Sequence, residues 1–266
     1  MIASESGITH SLDGTPIGYS RMGSGPALVI CHGALTDQRD WYLVAKQLAN
    51  EFTVYVFDRR GRNASGDCPD HYSWQSEIAD LDAMMRVAGD GASLVGHSFG
   101  ASLSLGWALQ TGFAGKLVLY EPPTSHVAQA SDGHLQQLRN LIAENQLEHA
   151  YDVVAIKMLK VPRREVEVFR GLPMYHKQVS MVPLFAREVE CIDNFKPSFE
   201  QCRALKCKVS FILGEISQRH PLRSSTAALV ERIPGAVLMP LRNQGHMGHL
   251  ADPEQLASLI KSLLLR

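Results

Sequence analysis

A serine stands between two glycines in the segment "GHSFG" at residues 96–100. The apolar run before it, residues 92–95, is typical of a buried strand, and the run after it, residues 101–109, is typical of a helix. A Gly-x-Ser-x-Gly segment at a strand-to-helix junction forms a nucleophile elbow, in which the serine takes a strained backbone and its hydroxyl is exposed above the sheet. We therefore predict that Ser98 is a nucleophile.

A serine hydroxyl is a weak nucleophile unless a neighbouring base accepts its proton. His246 follows the last predicted strand and precedes the last predicted helix, on a loop that can reach across to the elbow. His97 is expected to point away from Ser98 and to pack beneath the turn. His249 lacks a carboxylate at a spacing that would complete a metal site, so no metal is expected. We predict that His246 is the base.

Two backbone N–H groups are candidates for binding the oxyanion that forms when Ser98 attacks a carbonyl carbon. The Phe99 N–H opens the helix after the elbow, and the first amides of a helix have no partner within it. His32 and Gly33 end the strand before the first long loop, which makes the Ala34 N–H the second candidate donor. The predicted oxyanion hole therefore consists of Ala34 and Phe99.

The predicted catalytic residues are far apart along the chain, so a folded sheet must bring them together. The sequence shows strands that alternate with helices, both before and after a long insert. A β-hairpin is predicted around Asp13-Gly14, a dipeptide suited to a tight turn. Strands are predicted at 27–33, 52–58, 92–96, 116–122, 208–214 and 236–241, and helices at 37–50, 73–88, 99–110, 221–234 and from Pro253 onwards. The alternation predicts an α/β fold with a mostly parallel sheet flanked by helices.

Residues 124–203 interrupt this alternation. They contain helix-like stretches broken by prolines and no β-run. A segment of about 80 residues is too long for a simple crossover loop. We therefore predict one core made of residues 1–123 and 204–266, with residues 124–203 inserted as a helical subdomain, which we call the helical insert.

Composition excludes several classes of partner. The chain has 26 basic and 27 acidic residues and no run of one sign, which argues against binding to nucleic acid or to an anionic membrane. No apolar stretch reaches the roughly 18 residues of a membrane span, and we expect an unexported, cytoplasmic protein. Five cysteines without a Cys-x-x-Cys pair fit reduced thiols. The expected partner is a small-molecule substrate, and the oligomeric state stays open.

Five segments outside the helical insert match one known pattern. They are "CHGALTDQRDW", "VFDRRGRNAS", "GHSFG", "YEPP" and "GHMGHLADPE". Together they resemble the α/β-hydrolase fold superfamily, although Asn63 replaces the second glycine of its Asp-x-Arg-Gly-x-Gly-x-Ser segment. The resemblance implies an α/β-hydrolase fold whose helical cap, residues 124–203, follows the strand that ends near Glu121.

The third member of the expected catalytic triad departs from the superfamily pattern. Its members usually carry an aspartate in a Gly-x-x-Asp context after the strand that follows the cap, and Ser217 occupies that position here. Some α/β-hydrolase fold enzymes instead carry the acid after the strand that precedes the cap, where this chain has Glu121. The order Ser98, Glu121, His246 agrees with nucleophile, acid and base. Glu121 is therefore the first candidate for the acid.

Two other carboxylates are alternatives for this role. Glu215 lies two residues before Ser217 and is the second candidate, although strand alternation turns neighbouring side chains to opposite faces. Asp58 ends a neighbouring predicted strand beside two arginines and is expected to tie down its own loop.

The serine nucleophile narrows the reactions that the resemblance implies. Epoxide hydrolases and haloalkane dehalogenases of this fold use an aspartate, so Ser98 argues against both. The leading hypothesis is hydrolysis of a small to medium, partly apolar ester or lactone through an acyl-enzyme, without a metal or organic cofactor. Six apolar residues of the insert line the pocket or pack within the insert: Met158, Phe169, Met174, Tyr175, Met181 and Phe185.

Two rival hypotheses stay open. The missing aspartate fits a ligand-binding relative with little turnover. The same scaffold also supports non-hydrolytic enzymes, such as a lyase or a cofactor-free oxygenase, in which His246 acts as a base without covalent chemistry at Ser98. A protein that binds a small ligand but leaves activated esters intact would favour the ligand-binding relative, and covalent trapping of Ser98 by a fluorophosphonate would argue against the non-hydrolytic enzyme.

Overall fold

The computed structural model describes residues 4–217 and 222–265. Within these residues one eight-stranded sheet has the order β1-β2-β4-β3-β5-β6-β7-β8. The strands are β1 Ser4–His10, β2 Pro16–Met22, β3 Ala27–Cys31, β4 Thr53–Phe57, β5 Ser93–His97, β6 Lys116–Tyr120, β7 Lys208–Gly214 and β8 Val237–Leu241. β1 and β2 form the predicted hairpin and pair antiparallel, as do β2 and β4, whereas all other pairs are parallel. The predicted α/β fold is confirmed.

The helices follow the predicted alternation outside the insert. They are α1 Tyr42–Leu48, α2 Trp74–Ala88, α3 Phe99–Thr111, α4 Leu135–Ala143, α5 Leu147–Asp152, α6 Arg163–Arg170, α7 Pro173–Ser180, α8 Val182–Asn194, α9 Phe199–Arg203, α10 Leu222–Arg232, α11 Gly248–Ala251 and α12 Pro253–Leu264. Several strands end one or two residues before their predicted limits, because the chain turns out of the sheet at its carboxyl edge. β3 ends at Cys31 and β6 at Tyr120.

Two hydrophobic clusters cover the two faces of the sheet. α1 and α12 pack on one face, where Trp41 and Leu256 are fully buried. α2, α3 and α10 pack on the other face, where Leu81 and Leu103 are fully buried. Because both faces are covered, the central strands are apolar throughout rather than alternating.

The strand order reverses direction between β3 and β5. From β3 the chain passes outward to β4, then returns to the other side of β3 for β5 and continues to β8. In open parallel sheets, the loops at such a reversal separate and leave a crevice at the carboxyl ends of the strands. Ser98 follows β5 and His32 follows β3, so the predicted nucleophile and the predicted oxyanion loop both lie at this crevice.

The chain between β6 and β7 contains helices α4 to α9 and no strand, as the sequence predicts. Helices α4 to α8 share a third hydrophobic cluster, which includes the fully buried Leu138, Val154 and Val189, and Leu35 from the loop after β3 joins it. The division into a core of 1–123 and 204–266 and an insert of 124–203 stays a prediction. Among the described residues, no helix combines the length and apolar character needed to cross a bilayer.

Candidate active site

Ser98 lies between the end of β5 and the start of α3, at φ 52° and ψ −124°. A positive φ is uncommon for a residue that carries a side chain. The flanking glycines are required by close contacts. A Cβ on Gly96 would lie 2.5 Å from Ala101 Cα, and one on Gly100 would lie 2.2 Å from the Cys31 carbonyl oxygen. Tight packing between β5, α3 and β3 therefore holds the strained backbone at Ser98.

The loop after β3 runs directly past the elbow. A Cβ on Gly33 would lie 2.9 Å from Ser98 Cβ, and the next residue, Ala34, lines the same cavity as Ser98. His32 is fully buried; its Nε2 accepts a hydrogen bond from the Arg59 N–H at 3.2 Å, so Nδ1 carries the proton and donates to the Gly33 carbonyl oxygen at 2.8 Å. Burial and the neighbouring arginines hold the pKa of His32 well below its ordinary value, which keeps the ring neutral.

His246 and Glu121 form a hydrogen-bonded pair at the carboxyl edge of the sheet. Nδ1 of His246 lies 2.6 Å from Oε2 of Glu121, and the other Glu121 oxygen accepts from the Gly214 N–H at 2.8 Å. Glu121 is fully buried and directly follows β6 at φ 47°. Burial raises the pKa of its carboxyl, but hydrogen bonds from His246, Ser217 and Gly214 outweigh burial and lower it. The carboxylate thus fixes the His246 proton on Nδ1 and leaves Nε2 as an acceptor.

Ser217 and Glu215 have different surroundings. Ser217 is 4% exposed and hydrogen-bonds to Glu121, so the residue at the usual aspartate position supports the carboxylate that pairs with His246. Glu215 is exposed and accepts from the Asn243 N–H at 2.9 Å. The structure therefore brings Glu121, and not Glu215, to His246.

Asp58 contacts Asn63 in its own loop, as expected from the sequence, and it also contacts Gln38 in the loop after β3. Its oxygens accept from the backbone N–H of Gln38 at 3.1 Å, from the Gln38 side-chain amide at 2.6 Å and from the Asn63 amide at 3.0 Å. Asn63, which replaces a glycine of the superfamily pattern, has φ 39°. Asparagine tolerates such a conformation better than most residues do.

His97 and His249 pack beneath the site with the buried Trp41. Nε2 of His97 donates to the His246 carbonyl oxygen at 2.9 Å, and the two imidazole rings lie 4.6 Å apart. The His249 ring stacks on Trp41 at 5.0 Å, and burial lowers the pKa of His249 to about 3. His97 therefore supports the loop that carries His246. Over residues 4–217 and 222–265, no group of three or more His, Cys, Asp or Glu side chains is placed to hold a metal ion.

A buried ionic network that sequence reasoning missed connects the helical insert to the core. Glu188 in α8 accepts from Arg59 at 2.8 Å and from Arg62 at 2.5 Å through the same oxygen. Glu77 in α2 accepts a second hydrogen bond from Arg59 at 2.6 Å. The side chains of all four residues are at most 1% exposed. Glu188 carries no sequence motif, and its partners lie more than 120 residues away, so no local pattern identifies it.

The same arginines contact the loop after β3. Arg59 Nη1 donates to the Gly33 carbonyl oxygen at 3.3 Å, and Arg62 Nε donates to the Thr36 carbonyl oxygen at 2.9 Å. Glu188 is therefore connected, through one arginine each, to both ends of the loop segment 33–36 that contains Ala34.

A cavity of about 350 Å³ lies over the elbow, and Ser98, Ala34 and His246 are among its lining residues. The six apolar insert residues named from the sequence divide into two groups. Phe169, Met174 and Phe185 line this cavity, and Met158 lines a smaller one of about 50 Å³ that also reaches Ser98 and His246. Tyr175 and Met181 are instead buried among the helices of the insert.

Similarity to known proteins agrees with this geometry. A family model described as the alpha/beta hydrolase family matches residues 28–259. The chain belongs to the alpha/beta hydrolase family. The crystal structure of an alpha/beta hydrolase from Sphaerobacter thermophilus DSM 20745 superposes on it with a TM-score of 0.86 and 29% identity, covering 97% of this chain and 99% of that one.

Two sequence relatives of this hydrolase show how widely the similarity extends. A fluoroacetate dehalogenase from a Burkholderia species is 42% identical over 84 residues, which are 29% of this chain and 28% of that protein. A pyrrolizixenacetamide deacetylase from Xenorhabdus hominickii is 24% identical over a 270-residue alignment that covers 94% of each protein. Several curated relatives, including the dehalogenase, are matched over only 28–37% of their own length.

Proposed function

We propose that this chain is a serine hydrolase that cleaves a small to medium, partly apolar ester or lactone through an acyl-enzyme. The observation that carries the proposal is the hydrogen bond of 2.6 Å between Glu121 and His246, a histidine that lines the same cavity as Ser98. A histidine held by a buried carboxylate is the arrangement that activates a serine hydroxyl.

In the first half of the reaction, Ser98 Oγ attacks the carbonyl carbon of the substrate while His246 Nε2 accepts the hydroxyl proton. The carbonyl oxygen becomes an oxyanion and takes hydrogen bonds from the N–H groups of Ala34 and Phe99. Glu121 stabilises the imidazolium that forms on His246. Collapse of the tetrahedral intermediate breaks the ester bond, and the imidazolium returns its proton to the leaving alkoxide.

The second half of the reaction restores the free enzyme. His246 accepts a proton from water, whose oxygen attacks the acyl carbon bound to Ser98. Collapse of this second intermediate releases the carboxylic acid, and Ser98 regains its proton from His246. Each proton that leaves a nucleophile is returned to a leaving group. The reaction steps therefore balance without a metal or a redox partner.

The apolar lining of the cavity supports a partly apolar substrate. Phe169, Met174 and Phe185 come from the helical insert, so we propose that the insert acts as a cap and selects the acyl or alcohol chain. A cavity of about 350 Å³ matches the lower part of the range found for small-molecule sites.

Labelling and turnover test the proposal together. Wild type and Ser98→Ala are incubated with a fluorophosphonate and analysed by intact mass, and hydrolysis of p-nitrophenyl acetate, butyrate and octanoate is followed in parallel. We expect one added phosphonyl group on wild type, none on Ser98→Ala, and ester hydrolysis only by wild type. The matched control Ser102→Ala, one turn along α3 from the elbow, is expected to be labelled like wild type.

Other outcomes identify the rival chemistries. A wild-type protein that is neither labelled nor active contradicts the serine mechanism and favours a ligand-binding relative or chemistry at His246 alone. Fluoride release from fluoroacetate is expected to be absent, since Ser98 replaces the aspartate nucleophile of dehalogenases with this fold. Cleavage of p-nitroacetanilide at rates comparable to the esters would extend the proposal to amides.

A further inference from the structure

One hydrogen-bonded pair from the helical insert lies in the wall of the cavity above Ser98. Tyr151 in α5 is 5% exposed and Gln178 in α7 is 9% exposed, and both line the cavity. The Tyr151 hydroxyl donates to Gln178 Oε1 at 2.8 Å. Burial raises the pKa of Tyr151 to about 12, so the phenol keeps its proton and remains a donor at neutral pH.

Aromatic contacts hold Tyr151 in place. Its ring lies 6.3 Å from the Phe169 ring in a stacked arrangement and 5.3 Å from the Tyr175 ring edge-on. The hydrogen bond from the Tyr151 hydroxyl to Gln178 Oε1 orients the amide. The amide nitrogen is thereby assigned to the other side of the group.

The hydrogen-bonding capacity of Gln178 is incomplete. A glutamine amide has two N–H donors, and Nε2 of Gln178 has no hydrogen-bond partner among residues 4–217 and 222–265. Nε2 is not among the fully buried polar atoms that lack a partner, so it keeps some contact with solvent, and a substrate oxygen in the cavity can take the place of that solvent.

We propose that Gln178 Nε2 binds an acceptor oxygen on the part of the substrate remote from the scissile carbonyl, which makes Gln178 a specificity-determining residue. This inference rests on the proposed function. The substrate class becomes an ester or lactone whose apolar chain carries a second, uncharged oxygen acceptor such as a ketone or an ether.

Matched pairs of esters test the inference. We would measure kcat/KM for p-nitrophenyl 4-oxopentanoate against pentanoate, and for the 5-oxohexanoate against hexanoate. Wild type is expected to prefer at least one oxo ester by about tenfold, the effect of one hydrogen bond of about 1.4 kcal/mol. Gln178→Met, which keeps length and apolar bulk, is expected to lose the preference, whereas the exposed Gln136→Met on α4 is expected to keep it.

Tyr151→Phe gives a second, independent readout. Without the phenol, the Gln178 amide can turn and present either its oxygen or its nitrogen. We expect the preference for oxo esters to weaken and the preference for matching hydroxy esters to rise, which a purely structural role of Tyr151 would not produce. Binding of methyl 5-oxohexanoate and methyl hexanoate to Ser98→Ala by calorimetry measures the same preference without turnover.

The outcomes separate the two proposals. Hydrolysis of all esters with equal kcat/KM within each pair would overturn the role of Gln178 and leave the serine hydrolase intact. Absence of labelling and of hydrolysis would overturn the proposed function, and the calorimetric preference would then decide on Gln178 alone. An oxo preference that persists in Gln178→Met would also overturn the inference.

Discussion

Glu121 and Glu188 are both almost completely withdrawn from water, and they have different kinds of partner. Glu121 follows β6 in the sheet, and Glu188 lies in α8 of the helical insert. Glu121 pairs with His246, and the His246 ring reaches the cavity. Glu188 pairs with two arginines that keep their charge at every relevant pH.

In the proposed mechanism, one of these buried carboxylates serves chemistry and the other serves structure. A carboxylate beside a permanent cation has its charge compensated at all times, and removing it leaves a buried charge without a partner. A carboxylate beside a neutral imidazole instead stabilises a charge that appears only during the reaction. We therefore expect loss of Glu121 to affect mainly turnover and loss of Glu188 to affect mainly stability.

The largest expected effect is that of Glu121→Gln on turnover. The amide preserves the shape of the side chain but cannot stabilise an imidazolium, and loss of the corresponding acid in serine proteases lowers kcat by about 10⁴. We expect a decrease of that order in kcat for p-nitrophenyl butyrate. Glu215→Gln is the control, since Glu215 is exposed and contacts Asn243, and its kcat is expected to stay close to that of wild type. A Glu121→Gln enzyme within tenfold of wild type would contradict the assignment.

The second effect is that of Glu188→Gln on stability. The variant leaves Arg59 and Arg62 buried with less than their full complement of negative charge, and breaking a buried ion pair is expected to lower the free energy of unfolding by about 3–5 kcal/mol. Urea unfolding monitored by tryptophan fluorescence measures this change.

Glu190→Gln is the matched control for this stability measurement. Glu190 lies on the same helix, and its ion pair with Arg139 is 45–47% exposed, so it is expected to contribute at most about 1 kcal/mol. Equal stability losses in Glu188→Gln and Glu190→Gln would show that the buried network does not hold the insert to the core.

A third, smaller effect concerns Ser217, which lies beside Glu121 in space but not along the chain. Ser217 hydrogen-bonds to Glu121, so a carboxylate at position 217 would lie near the same histidine. Adding Ser217→Asp to Glu121→Gln is expected to recover about 10- to 100-fold of the lost kcat, the range of a hydrogen bond to a charged group of about 1.5–3 kcal/mol. Ser217→Asn in the same background is the control and is expected to recover none. Equal recovery of kcat by Ser217→Asp and Ser217→Asn would show that the charge at position 217 is not the cause.

The sequence carried enough information for the fold and for part of the site. The parallel sheet followed from apolar strands alternating with helices, and the elbow followed from a serine at one strand-to-helix junction. These features depend on residues close together along the chain. The choice between Glu121 and Glu215 does not depend on neighbouring residues alone. It requires knowledge of the residue at which each strand ends. β6 ends at Tyr120 and Glu121 takes φ 47°, and a change of one residue in that boundary would turn the carboxylate away.

Residues of the helical insert were the hardest to assign from the sequence. Glu188 and Gln178 lie on helices that carry several other polar residues, and such residues ordinarily lie on a solvated face. Only the packing of the insert on the core brings Glu188 to Arg59 and Arg62, which are distant in sequence. The pattern within a helix predicts which residues are buried together, but it does not identify what they will meet on another element.

The smallest expected effect is on the pH dependence of stability at Glu121. Burial raises the pKa of this carboxyl, yet the hydrogen bonds from His246 and Ser217 lower it below its ordinary value of 4.5. A carboxyl with a folded-state pKa below its unfolded value stabilises the fold above the unfolded pKa, and that contribution is lost as the pH falls through the folded pKa. Glu121→Gln cannot titrate, so the excess stability of wild type over this variant should decrease as the pH falls below 4.5.

Urea unfolding of both proteins at several pH values from neutral down through this range measures the decrease. Ser217→Ala provides a graded comparison, because it removes one of the hydrogen bonds that lower the pKa of Glu121 and leaves the His246 pair in place. The difference in unfolding free energy between Ser217→Ala and wild type should change with pH in the same direction as that of Glu121→Gln, and by less. A stability difference between wild type and Glu121→Gln that is independent of pH would mean that the buried carboxylate is not held ionised by its neighbours, and the contrast with Glu188 would then lose its electrostatic basis.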